Sequence, residues 1–286
     1  MRHFLLLAFT AVIAHAALPP EKTESVRALL REHHVPQAES AANALVAANP
    51  AEPEAYLLLG SVNLAKGDAD AAVAAYGKAT ELAPNNSDYQ RQLGDAYGFA
   101  AQKAGMFSVM GLAKKCRIAY EKALELDPTN LDAHTGLMTY CQQAPGIAGG
   151  GMDKAYAQAA EIKKLDEVRG RVAYATLYTA EKKYPDAFAE FDAVLKTSPD
   201  SYHALYQLGK LAALSGQQVD RGIAALKRCL TLSPPAGAPG RDAANWRIGN
   251  LYEKKGDLAA ARAAYQSALA INPGFQQAID SLKKLK

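Results

Sequence analysis

The chain has 286 residues, 49% of them hydrophobic, and a formal net charge of only +3 at pH 7. So small an excess of basic residues gives little support to nucleic-acid binding through a basic face. Three cysteines are too few for the disulfide framework of a small secreted domain. No long stretch alternates apolar and polar residues as a half-buried strand does, so we predict an all-α fold.

Residues 1–17 have the layout of a secretory signal peptide. A basic residue, Arg2, precedes an apolar run over residues 4–13, and small residues follow it. The run is too short to cross a bilayer comfortably, and no second long apolar segment follows. We therefore predict cleavage near Ala16-Ala17 and a periplasmic or secreted protein with no membrane span after cleavage. An uncleaved N-terminal anchor is the alternative.

The stretch from Pro53 to Asn86 contains two apolar runs of helical period, separated by Gly67-Asp68 and followed by Pro84. This spacing predicts a helix, a tight turn and a second helix. Small residues such as Gly60 stand where the two helices must nearly touch. A hairpin this short would leave a wide apolar stripe in water, so it needs similar neighbours along the chain.

Such neighbours are present on both sides of this hairpin. It resembles the tetratricopeptide repeat of about 34 residues in the positions of its Leu-Gly pair, tyrosines, alanines and closing proline. The residues that carry the resemblance are Tyr56, Leu59, Gly60, Ala72, Tyr76, Ala79 and Pro84, then Leu93, Gly94, Tyr97, Tyr120, Ala123 and Pro128, then Leu208, Gly209, Leu226 and Pro234, then Ile248, Gly249, Tyr252, Ala261, Tyr265, Ala268 and Pro273.

The resemblance implies a right-handed superhelical solenoid of about seven helix-turn-helix repeats in one domain, residues 18–286. Each repeat in such an array contacts only its neighbours, so no internal domain boundary is required. The predicted repeats cover residues 19–52, 53–86, 87–130, 131–167, 168–201, 202–235 and 242–275, and a capping helix covers residues 276–286.

Two consecutive repeats are longer than the pattern, each between its first and second helix. The excess lies within residues 100–112 of the third repeat and residues 142–151 of the fourth. We predict two enlarged turns side by side at one edge of the array. Their apolar residues either cover the array's own edge, form a lip that grips an apolar partner or ligand, or touch a membrane. The predicted lip consists of Met106, Phe107, Met110 and Ile147.

Two cysteines fall near the same edge. Cys116 begins the second helix of the third repeat, and Cys141 ends the first helix of the fourth. In an oxidising compartment these two could form a disulfide, and the alternative is two buried thiols. Cys229 occupies a position for a small residue and is expected to be inert.

In the family that the chain resembles, the first helix of each pair lines a concave groove that holds peptide partners. The resemblance implies a groove lined by Arg91, Gln92, Asp95, Thr135, Thr139, Gln142, Tyr206, Gln207, Lys210, Trp246, Arg247 and Asn250. Trp246 beside Arg247 is typical of an interface anchor, unless Trp246 packs inside the last repeat. Leu57 and Ser61 replace the Lys and Asn of the family's carboxylate clamp, so we do not expect that clamp.

Catalytic and cofactor motifs are not concentrated in any one segment, so we predict no enzyme, no metal and no cofactor. The Gly-rich stretch lacks the Lys followed by Ser or Thr of a phosphate-binding loop. Two functions stay open. One is an extracytoplasmic scaffold that binds protein or peptide segments in its groove; the other is a carrier for a lipid, glycan or other envelope molecule at the two enlarged turns. The oligomeric state is not predicted.

Overall fold

The structure, a computed structural model, describes residues 18–235 and 238–285, apart from the side chain of Met106. The predicted signal peptide therefore lies outside the described residues. Within them the chain forms α-helices and one short 3-10 turn, with no strand, which confirms the all-α prediction. No helix in this described part is both long and apolar enough to cross a membrane.

The chain divides into two compact units, and each is described by itself. Unit 1, Met1–Gly150, contains seven described helices. They are α1 (Pro20–Arg31), α2 (Val35–Ala48), α3 (Pro53–Lys66), α4 (Ala69–Leu82), α5 (Ser87–Lys103), α6 (Met106–Leu126) and α7 (Leu131–Gln143). Helices α1 to α6 pack as three consecutive pairs, and α7 packs on α5 and α6.

Unit 2, Gly151–Lys286, contains eight helices in its described residues. They are α8 (Met152–Leu165), α9 (Glu167–Ala180), α10 (Tyr184–Thr197), α11 (Tyr202–Ser215), α12 (Val219–Thr231), α13 (Arg241–Lys255), α14 (Leu258–Ile271) and α15 (Gln276–Lys284). Helices α9 to α14 pack as three consecutive pairs, α8 packs on α9, and the capping helix α15 packs on α14. One continuous domain over residues 18–286 stays a prediction.

The tight turns within the hairpins follow from two adjacent residues. Gly67 ends α3 with a φ of 79°, a left-handed conformation that glycine adopts without steric cost. Asp68 then caps α4, because its side chain accepts a hydrogen bond from the backbone N–H of Ala71 at 3.0 Å. Gly256 and Asp257 repeat the arrangement between α13 and α14 in unit 2. A Gly-Asp pair thus stops one helix and starts the next.

Close approach of paired helices explains the recurring glycine and tyrosine. An ideal Cβ on Gly60 of α3 would lie 2.7 Å from the ring of Tyr76 of α4. The same construction on Gly249 of α13 places its Cβ 2.3 Å from the ring of Tyr265 of α14. Each tyrosine ring therefore fills the space that the missing glycine side chain leaves, and the hairpin closes tightly.

The insertion in the third repeat forms helix, so the prediction of an enlarged turn over residues 100–112 is wrong. Only Ala104 and Gly105 separate α5 from α6, and α6 runs for 21 residues. The apolar residues Val109, Leu112 and Cys116 recur at helical spacing, which favours helix over loop. The excess residues thus lengthen both helices of the pair by adding turns at their joined ends.

Candidate functional site

A cleft of about 420 Å³ lies in unit 1, where the C-terminal half of α5, the N-terminal half of α6 and the end of α7 meet. Most of its lining is apolar. The apolar lining includes Phe99, Ala101, Val109, Met110, Ala113 and Ala148. The extra turns of α5 and α6 therefore form the walls of a cleft. The cleft lies where the sequence predicts an enlarged turn.

One end of the cleft is polar and is organised by Tyr120. Its hydroxyl donates a hydrogen bond to Asp95 Oδ1 at 2.6 Å, and Arg91 Nη1 donates to Asp95 Oδ2 at 2.5 Å. The ring lies against Gly94 and Gly136, where an ideal Cβ would come within 2.8 Å and 2.4 Å of it. Packing on both sides fixes the ring, and the ring in turn positions the Asp95 carboxylate.

A polar groove of about 360 Å³ adjoins this end of the cleft. It is lined by Arg91, Asp95, Tyr120, Asp132, Thr135, Gly136 and Thr139. Four of these residues, Asp95, Tyr120, Gly136 and Thr139, also line the cleft. The two spaces therefore lie side by side, and the second carries the charged side chains Arg91, Asp95 and Asp132.

Acidic side chains outnumber basic ones at the shared end. Burial acts to lower the pKa of Arg91, but Asp95 and Asp88, with Asp132 beyond them, raise it overall. Burial raises the pKa of Asp95, while the Arg91 charge and the Tyr120 hydrogen bond oppose the rise. Three carboxylates around one guanidinium leave an excess of negative charge, which favours cations.

The far end of the cleft is closed by the loop after α7, where Gly146–Ala148 form the 3-10 turn. Tyr140 donates its hydroxyl hydrogen bond to the carbonyl of Ala148 at 2.5 Å. An ideal Cβ on Gly150 would lie 1.8 Å from the carbonyl oxygen of Ala144. The loop thus folds back on itself tightly, and its Gly-rich sequence serves this close approach.

The predicted lip is only partly assembled at this site. Met110 lines the cleft and is 46% exposed, whereas Phe107 is 100% exposed and Ile147 is 90% exposed. Two side chains with that exposure do not cover an apolar edge of unit 1, so the covering interpretation is wrong for them. The side chain of Met106 lies outside the described residues.

Cys116 lines the cleft, and the predicted disulfide is not formed in the structure. Cys116, Cys141 and Cys229 are all buried and are not joined by disulfides. Burial raises the pKa of Cys116 to about 12, and Asp95 adds to the rise. The thiol is therefore protonated at neutral pH and contributes apolar surface to the cleft.

The remaining groove residues of unit 1 bond mainly within their own helices. Thr135 and Thr139 each donate a hydroxyl hydrogen bond to a backbone carbonyl of α7, at 2.7 Å and 2.9 Å. Gln92 donates to Asp88 at 2.7 Å, and Gln142 is half-buried near the end of α7. Asp95 is thus the charged groove residue that lines the cleft, and Arg91 lines the groove beside it.

In unit 2 the predicted groove residues of α11 and α13 meet at Tyr206. Arg247 Nε donates to the Tyr206 hydroxyl at 3.3 Å, and the guanidinium lies 4.8 Å from the ring centre of Trp246. Burial lowers the pKa of Lys210, and the charge of Arg247 lowers it further. Lys210 and Arg247 therefore form one positively charged surface across two helices, with half-buried Gln207 on the same helix as Lys210.

Two further residues of this surface were missed from the sequence. Burial lowers the pKa of His203, and the positive charges of Arg169 on α9 and Lys210 on α11 lower it further. Arg169 and His203 stand one repeat length apart, each near the start of a predicted first helix. Comparing equivalent positions between repeats would have found them. With Lys210 and Arg247 they define the basic face of unit 2.

Trp246 and Asn250 are engaged inside the last repeats. Trp246 donates its ring N–H to Ser281 Oγ at 3.1 Å and packs edge-on against Phe275, with ring centres 5.9 Å apart. Asn250 Oδ1 accepts a hydrogen bond from the Tyr265 hydroxyl at 2.7 Å. Trp246 thus packs on the capping helix, and the interface-anchor interpretation is not supported.

In the part of the chain that the structure describes, no group of three or more His, Cys, Asp or Glu side chains is placed to hold a metal ion. The two candidate sites are an apolar cleft with an acidic end in unit 1 and a cationic surface in unit 2.

Family models match three stretches of the chain. One tetratricopeptide repeat model matches residues 23–87 and 172–237, and a second matches residues 243–275. Together they cover more than half of the chain. No curated protein sequence matches it.

Several solved structures are similar in fold. A tetratricopeptide repeat protein from Parabacteroides merdae ATCC 43184 has a TM-score of 0.59 at 17% identity, covering 93% of this chain and 97% of that one. A thermophilic TPR protein from Thermus thermophilus has a TM-score of 0.55 at 17% identity, covering 73% and 98%. A chain of the APC/C hetero-tetramer Cut9-Hcn1 has a TM-score of 0.55 at 16% identity, covering 92% and 48%. At these identities the similarity shows a shared fold.

Proposed function

Because the chain belongs to the tetratricopeptide repeat family, we propose that it is an extracytoplasmic, non-catalytic scaffold that binds protein or peptide segments on the faces of its first helices. The extracytoplasmic part of the proposal rests on the signal-like sequence of residues 1–17. The partner chemistry rests on one observation, the basic face of unit 2. Its residues come from the first helices of three consecutive repeats, as expected for a groove that holds an extended segment.

The basic face favours a segment rich in acidic residues. The pKa values of both Lys210 and His203 are lowered partly by neighbouring positive charge, so Lys210 and Arg247 repel each other and protonation of His203 is disfavoured. An acidic segment would relieve that repulsion and add charge-assisted hydrogen bonds. Arg247 is held in place by Tyr206, which reduces the entropy lost when it pairs with a carboxylate.

Charge reversal on this face is expected to weaken binding of a fluorescein-labelled oligoaspartate about tenfold, or about 1.4 kcal/mol. Lys210→Glu is the main variant, measured by fluorescence anisotropy at low salt, where exposed charges are least screened. Lys196→Glu is the matched control, since it makes the same charge change on the exposed part of α10, a second helix. Equal weakening by both variants, or by neither, would contradict the assignment of the face.

The titration of His203 gives an independent check. In the free protein its imidazole is expected to titrate below the ordinary value of 6.5, because burial, Arg169 and Lys210 all disfavour the charged form. Bound oligoaspartate should raise that pKa, so binding should strengthen as pH falls from the bound value towards the free value and level off below it. NMR titration of the imidazole, assigned with His203→Gln, measures both states. An unchanged pKa in the complex would place the peptide elsewhere.

A second candidate function is favoured by the cleft of unit 1. Binding sites for small molecules typically have volumes of about 300–1,000 Å³, mostly apolar walls and a few converging polar groups. The cleft of about 420 Å³ has these properties, with its polar groups around Asp95 and Tyr120. This supports the carrier function, in which the protein holds a lipid or another small envelope molecule between α5, α6 and α7.

A further inference from the structure

We propose that the cleft of unit 1 binds a single-chain amphiphile whose alkyl chain lies along the apolar walls and whose cationic head group lies at the Asp95 end. This inference deepens the carrier function and rests on it. It specifies the ligand by shape and charge: one chain of moderate length carrying an ammonium or guanidinium group.

The length of the cleft sets the length of the chain. Its lining runs from Asp95 to Gln102 along α5 and from Val109 to Tyr120 along α6. At 1.5 Å per residue these stretches are roughly 10 and 16 Å long, enough for an extended chain of about ten carbons. A compact ring system of similar volume would leave one end of such a cleft empty.

The walls suit an alkyl chain because they combine small and adaptable residues. Gly98, Ala101 and Ala113 leave the space open, and Phe99 supplies a flat apolar surface. Met110, a flexible and polarisable side chain, stands half-exposed on α6 and can adapt to the ligand. Apart from Gln102, Thr139 and Gln143, few hydrogen-bonding side chains line the walls, so a glycan would lose much of its own hydration without compensation.

The polar end selects the head group. Asp95 carries its two hydrogen bonds from Arg91 and Tyr120, and the adjoining groove adds Asp132 at its rim. The raised pKa of Arg91 agrees with a negative field there. Arg91 also lines this groove, but Asp95 and Asp132 outnumber it, so the net charge of the groove favours a cationic head over a carboxylate head.

The test is isothermal titration calorimetry of the full-length protein with three ligands of equal chain length: decylammonium, decanoate and decanol. All are used below their micelle concentrations. We expect decylammonium to bind most tightly. Along the series hexylammonium, octylammonium and decylammonium, affinity should rise about fourfold for each methylene added, because each buried methylene contributes a constant transfer free energy.

Variants locate the binding. Ala113→Phe fills the cleft from α6 and should weaken decylammonium binding at least tenfold, and Ala148→Leu fills it from the loop after α7. Gly111→Phe is the matched control and should bind normally, because it adds the same ring to an exposed position of α6 where an added Cβ meets nothing within 4 Å. Asp132→Asn should weaken decylammonium severalfold and leave decanol unchanged, because only the charged head meets the carboxylate.

Each outcome bears on the proposal. Tighter binding of decanoate than of decylammonium overturns the head-group assignment and leaves small-molecule binding intact. No saturable binding of any of the three overturns both the inference and the carrier function. Normal binding by both Ala113→Phe and Ala148→Leu overturns the location. Oligoaspartate affinity, measured on the same variants, should not change, which keeps the scaffold function separately testable.

Discussion

Replacing Tyr120 by alanine is expected to destabilise unit 1 by about 3–5 kcal/mol, the usual cost of removing a large buried aromatic side chain. The ring is 6% exposed and fills the space between Gly94 of α5 and Gly136 of α7. Its removal leaves a cavity between three helices. It also deprives the Asp95 carboxylate of the hydroxyl that donates to it at 2.6 Å. Both losses act on the same helices, so α5 to α7 should open together.

Tyr120→Phe separates the two contributions. It keeps the ring and removes only the hydrogen bond to Asp95, which should cost about 1.5–3 kcal/mol because the acceptor is charged. Native-state hydrogen exchange of peptides from α5 to α7 measures the free energy of opening for both variants. Tyr97→Phe, a half-buried tyrosine on α5, is the control and should stay within about 0.5 kcal/mol. A cost below about 1 kcal/mol for Tyr120→Ala would show that the ring does not hold the helices together.

The helical hairpins could be predicted from the sequence because their constraints are local. Gly67 and Asp68 are neighbours in the chain, so the turn that they form can be seen without knowing the fold. Gly60 and Tyr76 lie within one hairpin, and their pairing recurs as Gly249 with Tyr265. Each of these local patterns is weak evidence by itself, but their repetition along the chain makes the prediction of helical hairpins strong.

The extension of α5 and α6 was missed because the residues in excess of the repeat length were assigned to the turn between the two helices. Gly105 does end the turn, but Gly111 lies inside α6, where an added Cβ would meet nothing within 4 Å. A solvent-facing glycine costs a helix only about 1 kcal/mol, which packing of the cleft wall on α5 can offset. Local residue preferences do not decide between helix and loop in this segment, and tertiary packing makes it helical.

The residues of the candidate sites also differ in whether the sequence predicts them. Arg91, Asp95, Lys210 and Arg247 could be named as candidate site residues from the sequence because the family resemblance places them on first helices, and their role in binding stays a prediction. Tyr120 could not, since it was assigned only to the core, and its hydroxyl reaches Asp95 across the hairpin. The cleft depends on residues from α5, α6 and the loop after α7, whose proximity no local pattern specifies.

The second large effect is expected at Tyr265 of unit 2. Its ring is fully buried against Gly249, and its single hydroxyl proton is shared between two acceptors, Asn250 Oδ1 at 2.7 Å and Glu253 Oε2 at 2.5 Å. Tyr265→Ala should destabilise unit 2 by about 3–5 kcal/mol, since it creates a cavity and leaves both acceptors without this donor. The hydroxyl's position beside a carboxylate adds to the effect of burial, which raises the pKa of Tyr265.

A double-mutant cycle with Gly249→Ala tests whether glycine is required at this position to leave room for the Tyr265 ring. In the native background the added Cβ would lie 2.3 Å from the Tyr265 ring, and overpacking of that kind costs about 1–3 kcal/mol. In the Tyr265→Ala background the clash is gone, and alanine should instead stabilise α13 by about 0.5–1 kcal/mol through its higher helix propensity. Gly249→Ala should therefore change sign between the two backgrounds.

Urea unfolding followed by tryptophan fluorescence measures the cycle. The only tryptophan in the chain, Trp246, lies on α13 and packs with Phe275 and the cluster around Tyr265. The coupling free energy should exceed about 1.5 kcal/mol, whereas independent sites add within about 0.5 kcal/mol. Additive behaviour would mean that the ring moves aside without cost. Glycine at this position of the repeat would then need an explanation other than the close approach of the two helices.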